Sequence, residues 1–203
     1  MSGAGLRGSD LRADLGVIAE LIQPREKVLD LGCGDGSLLR HLIDAKQIVG
    51  RGVEIAEAKV LACVRHGVTV RQGDLHEELR DYPKNSFDTV ILSYGLPFLN
   101  DPAFIVSNML RVGQRAIVSF PNWGHWRCRV DLLLTGRMPA APGDPQPWNE
   151  VPRARGLTIA DFKSFCAAQG VRIATATFLQ GTRRVPDRFD TNLRATWAVF
   201  ELG

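Results

Sequence analysis

Over its first 120 residues the chain alternates short apolar runs with stretches in which apolar side chains recur every three or four positions. Leu11, Leu15, Ile18 and Ile22 stand at spacings of 4, 3 and 4, which predicts a helix capped by Ser9 or Asp10 and ended before Pro24. Residues 27–31 (KVLDL) form an apolar run that breaks into Gly32-Cys-Gly-Asp-Gly36, and Leu38, Leu39, Leu42 and Ile43 return to helical spacing. That reads as strand, glycine turn, helix. Further strands are predicted at 48–55, 68–72, 87–93 and 116–120, with helices at 56–65 and 102–110, the latter opened by Asp101 as cap and Pro102 in the first turn. Five strands separated by helical patterns predict an α/β fold, a parallel sheet with right-handed crossovers and helices on both faces.

Beyond Phe120 the regularity fails. Residues 123–134 have a helical pattern, but 136–156 hold five of the chain's eleven prolines and are read as a loop. A loop of about 20 residues is long for a compact domain and points to a lid or binding segment. Thr158-Ile-Ala-Asp161 predicts a capping-box start, with Phe162, Phe165 and Cys166 as the apolar face of a helix stopped by Gly170. Residues 171–178 and 195–202 are then two closing strands.

Composition narrows the class without naming it. With 45% hydrophobic and 23% charged residues the chain is an ordinary globular sequence, not a disordered, collagen-like or coiled-coil one. Its formal charge of +3 is uneven: 1–120 carry 14 basic and 15 acidic side chains, whereas 121–203 carry 11 and 7. No Lys/Arg run interleaved with aromatics accompanies that excess, so a nucleic-acid partner is not expected. Cys33, Cys63, Cys128 and Cys166 form no CxxC pair, and Cys63 with His66 has no second pair to complete a zinc site, so no metal is expected. Reduced thiols, no apolar leader and no run of about 20 apolar residues predict a cytoplasmic protein without a membrane association.

The candidate chemistry lies in the glycine turn. Glycines between a strand and a helix let a ligand approach the helix N-terminus, where free N–H groups point outward. Here the spacing is Gly32-x-Gly34-x-Gly36, with Ser37 where a dinucleotide fingerprint has its last glycine, and Asp30 and Asp35 flank the turn. Two carboxylates repel a pyrophosphate but suit a ligand bearing an ammonium and a sulfonium. Sign of charge thus favours S-adenosylmethionine over a nicotinamide dinucleotide. Glu54, 22 residues after Gly32 at the end of the second strand, is placed to accept ribose hydroxyls. Asp74, at the end of the third, is placed to accept the adenine amino group with Leu75 packing on the ring.

The segments VLDLGCGDG, GVEI, GDL and FDTVILS, within 27–120, resemble the successive motifs of class I S-adenosylmethionine-dependent methyltransferases. That resemblance implies a Rossmann-like, seven-stranded, mostly parallel sheet with an antiparallel last strand. It also implies a donor site for S-adenosylmethionine or S-adenosylhomocysteine formed by Asp30, Gly32, Cys33, Gly34, Gly36, Glu54, Ile55, Asp74, Leu75 and Ser93. More narrowly, RADLGVIAELI, GCGDGSLL and the block MLRVGQRAIVSFPNWGHWRCRVDLLLTGRMP at 109–139 closely resemble the MetW family of methionine biosynthesis proteins, over about 12–166. The family implies a methyltransferase-like protein that binds and supports homoserine O-acyltransferase. The chain departs from the family's pattern at 93–98 and at Asn149, Arg153 and Arg155. Residues 1–203 are therefore expected as one domain, a cofactor-binding core (1–120) followed by an acceptor or partner part (121–203) with a lid at 136–157.

Two functions stay open on the residues alone: an accessory partner, or an active methyltransferase on a small-molecule acceptor. In the second, His125 is the candidate base and Tyr94 a further candidate; otherwise His125 and Trp126 simply pack the following helix. Methyl transfer is an in-line displacement that depends mostly on positioning, with a base needed only for the acceptor. No (Asp/Asn)-Pro-Pro-Tyr element and no Pro-Cys pair is present, which argues against amino or C5 methylation of nucleic acid. Arg127, Arg129 and Arg137 are either a solvated face or an anionic docking surface.

Overall fold

The computed structural model describes residues 11–142 and 155–203. Strands β1 (Lys27–Leu31), β2 (Val49–Glu54), β3 (Val70–Gln72), β4 (Phe87–Ser93) and β5 (Gly113–Pro121) pair in parallel. They alternate with helices α1 (Ala13–Leu21), α2 (Ser37–Lys46), α3 (Glu57–Arg65), α4 (Leu75–Asp81) and α5 (Pro102–Val112). The chain continues through α6 (Trp126–Thr135), α7 (Ile159–Ala168), β6 (Ile173–Gln180), β7 (Arg183–Val185), α8 (Thr191–Arg194) and β8 (Trp197–Leu202). All eight strands join in one sheet of order β3-β2-β1-β4-β5-β8-β6-β7. Because β1 lies between β2 and β4, the crossovers diverge on either side of it, and a crevice opens at the carboxyl ends of β1 and β4.

Alternation along the strands splits the core into two layers. Leu29, Leu31, Val90, Leu92, Ala116, Val118 and Phe120 point to one face, where α4, α5 and α7 cover them through Leu79, Ile105, Met109 and Phe162. Val28, Ile91 and Ile117 point to the other, under α1, α2 and α3. The C-terminal half is joined to the first layer by aromatic rings: Phe162 is 5.1 Å from Phe120 and 4.7 Å from Phe200, and Phe178 is 5.7 Å from Phe200. At the amino end of β5, Arg115 donates to Glu26, Glu201, Thr89 and the Leu21 carbonyl. Burial pushes the Glu201 carboxyl upward, but the Arg115 and Thr175 hydrogen bonds prevail and hold it below its ordinary value.

Several expectations need correction. Among the described residues the sheet has eight strands, not seven, because Arg183–Val185 returns as a hairpin on β6; the last strand is antiparallel, as expected, to both β5 and β6. The three residues of β7 are too few to reveal an alternation, and its arginines suit an edge that should not pair further. Helix α1 starts at Ala13 with Arg12 in the cap position and no side-chain cap, and Ser9 and Asp10 lie outside the described residues. Helix α4 was not expected, since LHEELRD is short and polar; Asp74 nucleates it by accepting the His76 amide at 2.7 Å. Of the expected lid, 143–154, with Asn149 and Arg153, lie outside the described residues.

Candidate functional site

The turn after β1 is held open by backbone that only glycine adopts without strain: φ is +68° at Gly32, +60° at Gly34 and +78° at Gly36. Glu54, 5% exposed at the end of β2, shapes this turn directly. One carboxylate oxygen accepts the Gly34 amide at 3.0 Å, and the other accepts the Ile55 and Ala56 amides at 3.0 Å each. The side chain of Ile55 stands 66% exposed on the same rim, an apolar surface against which a flat ring can pack. Asp74 is exposed and Leu75 half-buried just after β3, where α4 begins.

Asp30, 3% exposed on β1, is the electrostatic anomaly of the site. Burial raises its carboxyl to about 7; Arg12 opposes the rise and Glu54 adds to it. A carboxyl withheld from ionisation by burial gains most from a cation brought beside it. An ammonium- or sulfonium-bearing ligand answers that charge, so the residues present fit the expected donor.

The floor between β4 and β5 contains groups that the sequence pattern does not single out. Asp14 on α1 is fully buried and accepts from Arg12 Nε at 2.6 Å, Ser119 Oγ at 2.6 Å and Ser93 Oγ at 3.1 Å. Arg12 lies 4.7 Å over the Trp197 ring and 5.4 Å over Tyr94, whose φ is +60°. Apart from its ion pair with Asp14, Arg12 has only long-range partners: Ser93 and Tyr94 at the end of β4 and Trp197 of β8. Gly52 was likewise invisible as a site residue, yet a Cβ there would meet Cys33 Sγ at 2.4 Å. Cys33 and Cys63 are free thiols 3.8 Å apart behind the turn, and all four cysteines are buried and unpaired by disulfides. Among the described residues no group of three or more His, Cys, Asp or Glu could hold a metal ion.

The loop after β5 is organised by Asn122. Its fully buried carboxamide donates to the Asn192 and Ala195 carbonyls at 2.8 Å each and accepts the Gly124 amide at 3.0 Å and the Ile159 amide at 3.2 Å. One side chain thereby ties β5 to α7 and α8, and α6 begins three residues later than the helical pattern predicts. His125 caps α6, its Nδ1 accepting the Arg127 amide at 3.3 Å, and burial, with Arg127 nearby, lowers its pKa.

Sheet order, the glycine turn and the carboxylates at the ends of β1 and β2 define a class I S-adenosylmethionine-dependent methyltransferase fold. Solved structures agree on the fold. The chain aligns with a SAM-dependent methyltransferase of Archaeoglobus fulgidus at TM-score 0.66, 17% identity, covering 97% of this chain and 94% of that one. One of Mesorhizobium loti gives TM-score 0.66 at 14% identity, covering 97% and 99%. Within that fold, the family model for "Methionine biosynthesis protein MetW" matches residues 12–202, and the chain belongs to the MetW family. The "Bifunctional methionine biosynthesis protein MetXA/MetW" of Rhodopirellula baltica is 36% identical over 201 residues, spanning 93% of this chain and 32% of that protein. The demethylmenaquinone methyltransferase of Renibacterium salmoninarum is 30% identical over 124 residues, 58% of this chain and 52% of that one. The chain thus spans about a third and about half of the length of these curated relatives.

Proposed function

We propose that this protein binds S-adenosylmethionine or S-adenosylhomocysteine at the carboxyl ends of β1–β4 and serves in the cytoplasm as an accessory partner of homoserine O-acyltransferase in methionine biosynthesis. The observation that carries the partnership is the bifunctional relative, in which a region like this chain is joined to a MetXA part. For the cofactor, support comes from the buried Asp30, the glycine turn and Glu54. When bound, the donor supplies a methyl group on a cationic sulfur. Asp30 would then face its ammonium, which S-adenosylhomocysteine also carries, Glu54 would offer the lone pair left on Oε2 to a ribose hydroxyl, Asp74 would border the adenine end with Leu75, and Ser93 the methionine end with Arg12.

The alternative, an active methyltransferase on a small molecule, would use His125 as base with Tyr94 beside the acceptor. With Nδ1 of His125 accepting an amide proton, the neutral ring carries its own proton on Nε2, which leaves no free lone pair to take another. That geometry supports the accessory reading over the catalytic one. The test is to titrate the purified protein with S-adenosylhomocysteine by calorimetry and to mix it with purified homoserine O-acyltransferase. Donor binding together with a changed acyltransferase rate is expected. Absence of both effects would refute the proposal, and turnover of the donor on a metabolite extract would favour the alternative.

A further inference from the structure

Helix α6 is oriented the wrong way round for a helix that only has to cover a core. Of its ten residues Cys128 alone is buried, whereas Trp126 (43%), Val130 (38%), Leu133 (82%) and Leu134 (77%) are exposed, as are Leu132 (47%), on the Cys128 side, and Met138 (60%) just beyond. At about 100° per residue, Trp126, Val130, Leu133 and Leu134 lie within an arc of about 100° roughly opposite Cys128. The apolar stripe therefore faces outward. Arg127, whose guanidinium lies 5.5 Å over the Trp126 ring, and Arg129 and Arg137 flank it, against a single acid, Asp131. An apolar stripe with a basic border and an aromatic–arginine pair at one end has the composition of a protein interface, not of a solvated helix.

We propose that this outward face of α6 is the docking surface for homoserine O-acyltransferase, through an apolar groove on that enzyme rimmed by acidic side chains. The inference rests on the accessory reading above and adds where the contact is made. In the bifunctional relative the two parts share one chain, which keeps them at an effective concentration of about a millimolar whatever the strength of their contact. The outward stripe of α6 supplies apolar surface for such a contact. The arginines match an acidic rim, so association should slow as salt is raised.

The test uses the full chain and a purified homoserine O-acyltransferase from the same organism, with affinity measured by biolayer interferometry and mass by sedimentation. The double variant Leu133→Glu/Leu134→Glu places two like charges against the acidic rim; both side chains are exposed, so the fold and S-adenosylhomocysteine affinity should be unchanged. Affinity for the acyltransferase should fall at least about tenfold, while Val49→Glu, at an exposed position on β2, should leave it alone. If wild type and the double variant bind equally, the docking face is refuted and the partnership stands. If wild type does not bind, both fall. If wild type alone is a dimer and the variant a monomer, the stripe is a contact between copies. If the variant loses only binding to anionic vesicles, it is a membrane face. Either of these last two results overturns the proposal.

Discussion

At alkaline pH the ionised carboxyl of Asp30 works against the folded state, so Asp30→Asn should stabilise the unliganded protein there. The carboxyl rises from 3.8 to about 7 on folding, chiefly through burial. The folded protein holds this proton more tightly than the unfolded chain. Its contribution to stability is therefore full below about pH 4, declines as pH rises, and is gone above about pH 7. Each pH unit within that window is worth up to about 1.4 kcal/mol, so between pH 5 and pH 8 wild type loses about 3 kcal/mol that the asparagine variant keeps. For a chain of this size 1 kcal/mol moves Tm by about 2–4 °C, so the gap in Tm should widen by about 5–10 °C between pH 5 and pH 8. Paired melts of the two proteins at both pH values cancel the titration of every other group. A gap that does not change with pH, or that narrows, would refute the argument.

Ligand binding should show the opposite preference. A cation beside Asp30 favours its ionised form, so affinity for S-adenosylhomocysteine should rise with pH up to about 7, by at most about tenfold per unit, and proton release should be measurable by calorimetry in paired buffers. In Asp30→Asn both effects should vanish. Wild-type affinity that is flat from pH 5 to 8 would mean that no cationic part of the ligand meets this carboxyl.

Three further predictions follow from the geometry. Glu54→Ala removes three charge-assisted bonds, one to Gly34 of the glycine turn and two to the Ile55 and Ala56 amides after β2, so it should lower stability by about 2–4 kcal/mol as well as weaken S-adenosylhomocysteine binding by about 1.5–3 kcal/mol; loss of affinity with an unchanged melt would show that the turn holds without it. Asn122→Ala strands four backbone groups and should cost about 2–4 kcal/mol by urea unfolding, whereas a cost below about 0.5 kcal/mol would mean that the loop does not depend on its hub. Gly52→Ala drives a Cβ into the buried Cys33 side chain, so it should destabilise by about 1–3 kcal/mol and displace the turn, read as weaker S-adenosylhomocysteine binding by calorimetry; intact binding would show that Cys33 can move without the turn.

What could be read from the sequence was local in origin. Residues 27–31 and 87–93 coincide with β1 and β4 because strands buried on both faces are mostly apolar, and that run survives any context. The Thr158–Asp161 capping box is legible for the same reason, since both partners lie within one turn of chain. Elements too short to display a period, α4, β7 and α8, were illegible, as was the extra edge strand they entail.

The sequence by itself determined the alternation of strand and helix, the glycine turn and the family to which both belong, because each depends on side chains close together in the chain. Tertiary structure alone decided that Arg12 and Asp14 meet Ser93 and Ser119, 81 and 105 residues away, and that Gly52 must make room for Cys33. It also decided which side of α6 faces the solvent. In sequence, residues 123–134 show only a helical pattern. Only the tertiary structure leaves Trp126, Val130, Leu133 and Leu134 in solvent, because periodicity defines a helix face but not the direction in which the fold points it.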